Sequence, residues 1–154
     1  MTKKLLWPTD FSANAGAALP HVKAMSGYYD AEIHVLHVLR DVIHHEGWYG
    51  VFDSEHVDRL MEKANRQAKE RLDQLCERHL EGCPRFIKHV AVGNPADEIL
   101  KLVEKEKMDM IVMATRGKTG NYDFGSVTQR VASHSPVPVT IVPLEKLQER
   151  GESP

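Results

Sequence analysis

The sequence predicts an α/β protein, an open doubly wound five-stranded parallel sheet with helices on both faces. Three observations predict it. Five short apolar runs, each too brief for a helix, are separated by stretches with helical periodicity. Strand and helix signals alternate in the order βαβ(loop)αβαβαβ, as parallel pairing through helical crossovers requires. The fourth run, Met110-Ile111-Val112-Met113-Ala114, empties into the turn Thr115-Arg116-Gly117-Lys118-Thr119-Gly120 and then into a helix start at Gly125-Ser126. Sheets of this class use such a junction to present freed backbone amides and a helix dipole to an anion.

Lys4-Leu5-Leu6-Trp7, stopped by Pro8, is the first buried strand. Thr9-Asp10-Phe11-Ser12 follows as a loop with Ser12 as helix N-cap. Ala13 to Ser26 carries small apolar residues on one face and ends at Gly27 as C-cap, with Pro20 imposing a kink or a late helix start. Ile33 to Leu39 is the second strand. Residues from about Arg40 to Asp53 lack a period and hold Gly47, Gly50 and the pair His44-His45, which reads as a long loop.

From Ser54 the apolar residues recur at three- and four-residue steps (Val57, Leu60, Met61, Ala64, Ala68, Leu72, Leu75, Cys76), predicting a helix that ends near Gly82. Phe86 to Val92 is the third strand, closed by Gly93. Asn94-Pro95-Ala96-Asp97 starts the next helix, with Asn94 as N-cap, Pro95 first in the helix and Asp97 reaching back. Met110 to Met113 is the fourth strand. Ser126-Val127-Thr128-Gln129 repeats the capping-box pattern, and Val139 to Val142 is the fifth strand. One domain over residues 1–145 is expected, with a polar tail at 146–154.

Composition narrows the class. The chain has 154 residues, 42% hydrophobic and 27% charged, with net charge −2; phosphate tracking along nucleic acid needs a basic excess that is missing here. No apolar run reaches the length of about 20 residues that spans a bilayer. The N-terminus has no apolar core of a signal peptide, and two cysteines are too few for a disulfide framework, so a cytoplasmic setting is expected.

One reversal of winding places a ligand crevice beyond the carboxyl ends of the strands. Pro8-Thr9-Asp10, the end of strand two at Val38, and Ala114 to Gly120 should meet there. Gly117, Gly120 and Gly125 would let backbone approach phosphates, with Ser126 offering a hydroxyl; equally, the set is a glycine-rich turn followed by an ordinary serine cap. A Walker-type loop is rejected, because Val112 stands where that motif needs glycine. Asp10 suits hydrogen bonding to a base or ribose, or else capping of the Ser12 helix.

Cys76, His79 and Cys83 have a superficial metal spacing, but Cys76 lies on the apolar stripe and no fourth ligand is evident. His44-His45 reads as part of a solvated loop. His34 and His37 point to opposite strand faces. Neither a Ser/His/Asp order nor a close carboxylate pair stands out, so no catalytic residue and no metal ligand is assigned.

Together these residues resemble the universal stress protein family. The resemblance rests on Pro8-Thr9-Asp10-Phe11-Ser12, His37-Val38, Val92-Gly93-Asn94-Pro95-Ala96-Asp97-Glu98-Ile99, Met108 to Met113, Arg116-Gly117-Lys118-Thr119-Gly120, Gly125-Ser126-Val127 and Pro136 to Val142. It implies a Rossmann-like adenine-nucleotide-binding sheet that forms a homodimer by pairing its last strand, here Val139, Thr140, Ile141 and Val142, across a two-fold axis. It also implies ATP, with magnesium, held through the pattern G-x2-G-x9-G-[S/T] and an early aspartate. This chain departs twice: Ala114 occupies the first glycine position, and seven residues rather than nine separate Gly117 from Gly125.

On that resemblance Pro8, Thr9, Asp10 and Val38 would line the adenine and ribose side. Ala114, Arg116, Gly117, Lys118, Gly120, Gly125, Ser126 and Val127 would line the phosphates. The expected function is a stress-response protein with ATP as regulatory ligand. The alternatives are a nucleotide-free dimeric interaction module and a slow ATP hydrolase, the latter disfavoured because no residue stands out as a water activator.

Overall fold

A computed structural model describes residues 2–40, 54–80, 85–115 and 125–143. The predicted loop with His44-His45, the turn from Arg116 to Phe124, Cys83 and the tail at 146–154 lie outside the described residues. The elements are β1 (Lys3–Pro8), α1 (Ala13–Gly16), α2 (Leu19–Tyr29), β2 (Ala31–Leu39), α3 (Ser54–His79), β3 (Phe86–Val92), α4 (Pro95–Lys105), β4 (Met110–Ala114), α5 (Ser126–His134) and β5 (Val139–Val142). The five strands form one sheet in the order β3-β2-β1-β4-β5, and every adjacent pair is parallel. The predicted fold class is the observed one.

The central strands are buried on both faces, which is why they read as unbroken apolar runs. Leu5, Trp7, Ile33, Val35, Met110 and Val112 pack on one side with Leu19 and Val22 of α2 and Leu72 and Cys76 of α3. Leu6, Leu36, Ile111 and Met113 pack on the other with Ile99 and Val103 of α4 and Val131 of α5. The alternation within each strand sends successive side chains to opposite layers.

Helix ends differ from expectation in instructive ways. Pro20 falls in the first turn of α2, where a missing N–H costs no helical hydrogen bond, so the helix starts late and α1 stands apart as a single turn. α2 runs through Gly27 and ends at Asp30, whose φ of 49° and N–H to the Ser26 carbonyl make the C-cap. The cause is tertiary: the buried Ser26 hydroxyl donates to the Ala31 carbonyl at 2.9 Å, tying the helix end to the start of β2. α3 stops at His79, before Gly82.

Asn94 caps α4 as predicted, accepting from the Asp97 amide at 3.2 Å. The Asp97 carboxylate does not reach back; it pairs with Arg130 of α5 at 2.6 Å, joining the two helices of that layer. The predicted capping box at Ser126 is also corrected. Gly125 is the N-cap, with its carbonyl accepting from the Gln129 amide at 3.0 Å, and Ser126 is the first helical residue, with no side-chain cap.

Candidate functional site

Winding reverses between β1 and β4. From β1 the chain moves outward through β2 to β3, then crosses back to β4 and out to β5. In sheets of this kind ligands bind beyond the carboxyl ends of the strands at such a reversal, here those of β1 and β4. Pro8 ends β1, and Thr9 follows, its amide donating to the Leu36 carbonyl at 2.8 Å. Asp10 forms a tight turn in which its Oδ1 accepts from the Ser12 amide at 2.9 Å and from the Ser12 hydroxyl. Ser12 in turn caps α1 through the Ala15 amide, 3.1 Å away. Val38 lies two residues beyond the last β1–β2 pair, Pro8 with Leu36, and so extends toward the same end of the sheet.

The β4 side is held by three hydrogen bonds. Thr115 donates its amide to the Val142 carbonyl at 3.0 Å, Gly125 donates to the Thr115 carbonyl at 2.8 Å, and the buried Thr128 hydroxyl donates to the Ala114 carbonyl at 2.9 Å. These bonds fix the start of α5 against the end of β4, with Ser126 exposed and Val127 half-buried. The Thr115 hydroxyl is buried and has no hydrogen-bond partner among the described residues. A polar atom in that state costs about 1–3 kcal/mol unless a further partner satisfies it.

Two histidines of β2 serve different layers, as their spacing predicts. His37 donates from Nδ1 to the Thr9 carbonyl at 2.9 Å and stacks obliquely on Phe11, with ring centroids 4.3 Å apart. His34 is buried, with Nε2 on Glu32 at 2.7 Å and Nδ1 facing Nε2 of His89 at 2.8 Å. Since the carboxylate accepts from Nε2, a neutral His34 accepts at Nδ1 from the His89 N–H. Protonating both rings would set two donors against each other.

Burial lowers the pKa of His89 below the usual imidazole value, and the neighbouring His34 adds to this; Glu106 pulls the other way, while Lys105 and Lys4 lower it slightly. The unfolded chain therefore binds the proton first as pH falls, so this stability is full above the ordinary value of about 6.5 and is lost below it. A lower Tm is expected at about pH 5 than at about pH 7.5, with the difference reduced in His89→Gln. Thermal melts at the two pH values check it; an unchanged difference in the variant would assign the effect elsewhere.

Of the cysteine and histidine grouping at the end of α3, Cys83 lies outside the described residues. Cys76 is a buried free thiol, and burial pushes its pKa up to about 11, with Asp73 adding to the rise and Lys88 opposing it. No group of three or more metal-ligating side chains occurs among the described residues.

Comparison with known proteins fits this geometry. The universal stress protein family model matches residues 1–143. The chain belongs to the universal stress protein family. Universal stress protein MJ0577 of Methanocaldococcus jannaschii is 36% identical over 155 residues, spanning 92% of this chain and 95% of that one. Its solved structure superposes with a TM-score of 0.81 at 33% identity, covering 95% and 99% of the two chains. A universal stress protein of Thermus aquaticus is 33% identical over 92% of this chain and 99% of its own. A solved family structure from Archaeoglobus fulgidus, at 20% identity and TM-score 0.62 over 92% and 97% of the chains, shares the fold.

In this universal stress protein Pro8 ends β1, Thr9 and Asp10 follow it, Val38 is the penultimate residue of β2, and Ala114, Gly125, Ser126 and Val127 frame the β4–α5 junction. Arg116, Gly117, Lys118 and Gly120 lie outside the described residues. Thr115, Thr128 and His37 also stand at the candidate site through the hydrogen bonds above, although none of them was assigned a ligand-lining role from the sequence. The small polar residue just after a buried strand was the available signal for Thr115. No helix among the described residues is long and apolar enough to cross a membrane.

Proposed function

We propose that this universal stress protein binds an adenine nucleotide, ATP with magnesium, as a regulatory ligand in the crevice between the ends of β1 and β4. One observation carries the reading. The N-terminus of α5 has no side-chain cap and stands beside the buried Thr115 hydroxyl, which has no partner among the described residues, at the point where winding reverses. Free amides, a helix dipole and an unsatisfied hydroxyl suit an oxyanion such as a phosphate chain. Two family structures that share this fold are complexes with cAMP and with dAMP, at 19% and 20% identity.

Pro8, Thr9, Asp10 and Val38 would flank adenine and ribose. Gly125, Ser126 and Val127 would meet the phosphates, with Arg116, Gly117, Lys118 and Gly120 completing the cradle and Ala114 supporting it. Magnesium would neutralise phosphate charge, a task for which the described residues offer no ligand cluster of their own. A cytoplasmic protein is the setting this reading assumes, and the free thiol of Cys76 is in keeping with it.

The expected result is a rise in Tm with Mg-ATP; at about 100 times its Kd, the ligand adds roughly 2.7 kcal/mol of stability. Absence of any shift with ATP, ADP and AMP would favour the nucleotide-free interaction module. The proposal includes a homodimer through β5. Val139, Thr140, Ile141 and Val142 pair with β4 on one side, and their other edge has no strand against it among the described residues. Sedimentation equilibrium should return twice the chain mass at micromolar concentration, and a monomer mass would reject the dimer.

A further inference from the structure

α1 and α2 are separated by Ala17 and Ala18, and near this break a cavity of about 170 Å3 opens toward α3. It has room for about five waters. Arg71, Leu75, Arg78 and His79 line it from α3, where three- and four-residue steps put them on one face. Phe11 and Ser12 line it from the opposite side. Neither arginine pairs with a carboxylate among the described residues; the Arg71 guanidinium lies 4.2 Å from the centre of the Phe11 ring.

Two further features at this cavity are unexplained by folding alone. Trp7 is fully buried and borders the cavity, yet its indole Nε1 has no hydrogen-bond partner among the described residues. Phe11 has a φ of 65°, a left-handed conformation that is strained for a bulky side chain. Its amide donates to the Thr9 hydroxyl at 3.1 Å, which helps to hold the ring in that position. Strain of this kind persists where surrounding structure enforces it, and it concentrates at ligand sites.

We infer that this cavity binds a small phosphomonoester, with Arg71 and Arg78 holding the phosphate and Phe11 and Leu75 packing its organic group. Two guanidinium groups without carboxylate partners among the described residues match a dianionic, multi-oxygen head, which arginine recognises through paired N–H donors. The apolar wall beside them favours an ester over the bare ion. The site lies in the layer of α2 and α3, whereas Ser126 begins a helix of the opposite layer, so it is separate from the nucleotide crevice although Thr9 belongs to both.

Calorimetric titration of the full chain with phenyl phosphate tests the assignment, with inorganic phosphate and phenol as the other probes. Phenyl phosphate should bind saturably and more tightly than inorganic phosphate, with phenol giving no saturable binding below about 10 mM. The double variant Arg71→Gln/Arg78→Gln should weaken phenyl phosphate by about tenfold or more. Both arginines are exposed on α3, and an unchanged melting curve for the double variant confirms an intact fold. Gly125→Val should leave this binding unchanged. No saturable binding of phenyl phosphate, equal affinity in the double variant, or loss of binding in Gly125→Val would each overturn the inference.

Discussion

Ile111→Ala should cost about 2–5 kcal/mol of stability, which lowers Tm by roughly 5–15 °C in a domain of this size. Ile111 is fully buried in β4, where it stands level with Leu6 of β1 and Val139 of β5. Its side chain packs in the layer of Ile99, Val103 and Val131, so truncation leaves a void that strands on both sides and helices above cannot all close. Ile87→Ala is the control. Ile87 lies on the outer strand β3 and is 40% exposed, so the same loss of side chain should cost under about 1 kcal/mol. Thermal or urea unfolding of the pair checks the contrast, and equal losses would mean that the centre of the sheet does not dominate stability.

Gly125→Val should abolish the Tm rise with Mg-ATP while lowering the stability of the ligand-free protein by no more than about 1 kcal/mol. Gly125 has φ −56° and ψ 150°, a conformation open to any residue, so the turn itself does not demand glycine. Its amide and carbonyl are both engaged, with Thr115 and Gln129. What a side chain would change is the space in front of the α5 amides, where phosphate oxygens would have to approach. A branched side chain there blocks that approach, while the helix start survives. The measurement is the melt with and without nucleotide, and a normal shift in the variant would place the phosphates elsewhere.

Much of the architecture was legible because it is local. The third strand, Phe86 to Val92, has its predicted bounds, and Asn94-Pro95 opens α4 as read, since cap and proline act within one turn. What was not legible depends on partners far along the chain. Gly27 looks like a helix end, but Ser26 is held by Ala31 and carries the helix past it. Asp97 looks like part of a capping box, but Arg130 claims its carboxylate. The His34–His89 contact joins residues 55 apart that meet through the pairing of β2 with β3.

The candidate site divides the same way. The positions of Pro8, Asp10 and Ala114 follow from where strands end, and these are visible as breaks in apolar runs. The role of Gly125 as cap, with Ser126 displaced into the helix, depends on the Gly125–Thr115 hydrogen bond between two elements. The cavity facing α3 left no motif, because its walls come from two segments about sixty residues apart in the chain, and the fold alone makes them neighbours.

The strand order has a consequence for how the chain reaches this state. β1 is central, yet one of its two neighbours, β4, lies more than one hundred residues downstream; the Lys4 amide donates to the Asp109 carboxylate at 2.8 Å, and the Asp109 amide returns a bond to the Lys4 carbonyl at 2.8 Å. β1, β2 and β3 can assemble in order of synthesis, but the side of β1 that will meet β4 then stays open, with the apolar Leu6 beside it. That seam has the largest loop-closure cost in the sheet, so it closes late. During synthesis the vulnerable edge is thus the one that ends up in the middle of the protein, exposed until the second half of the chain arrives to cover it.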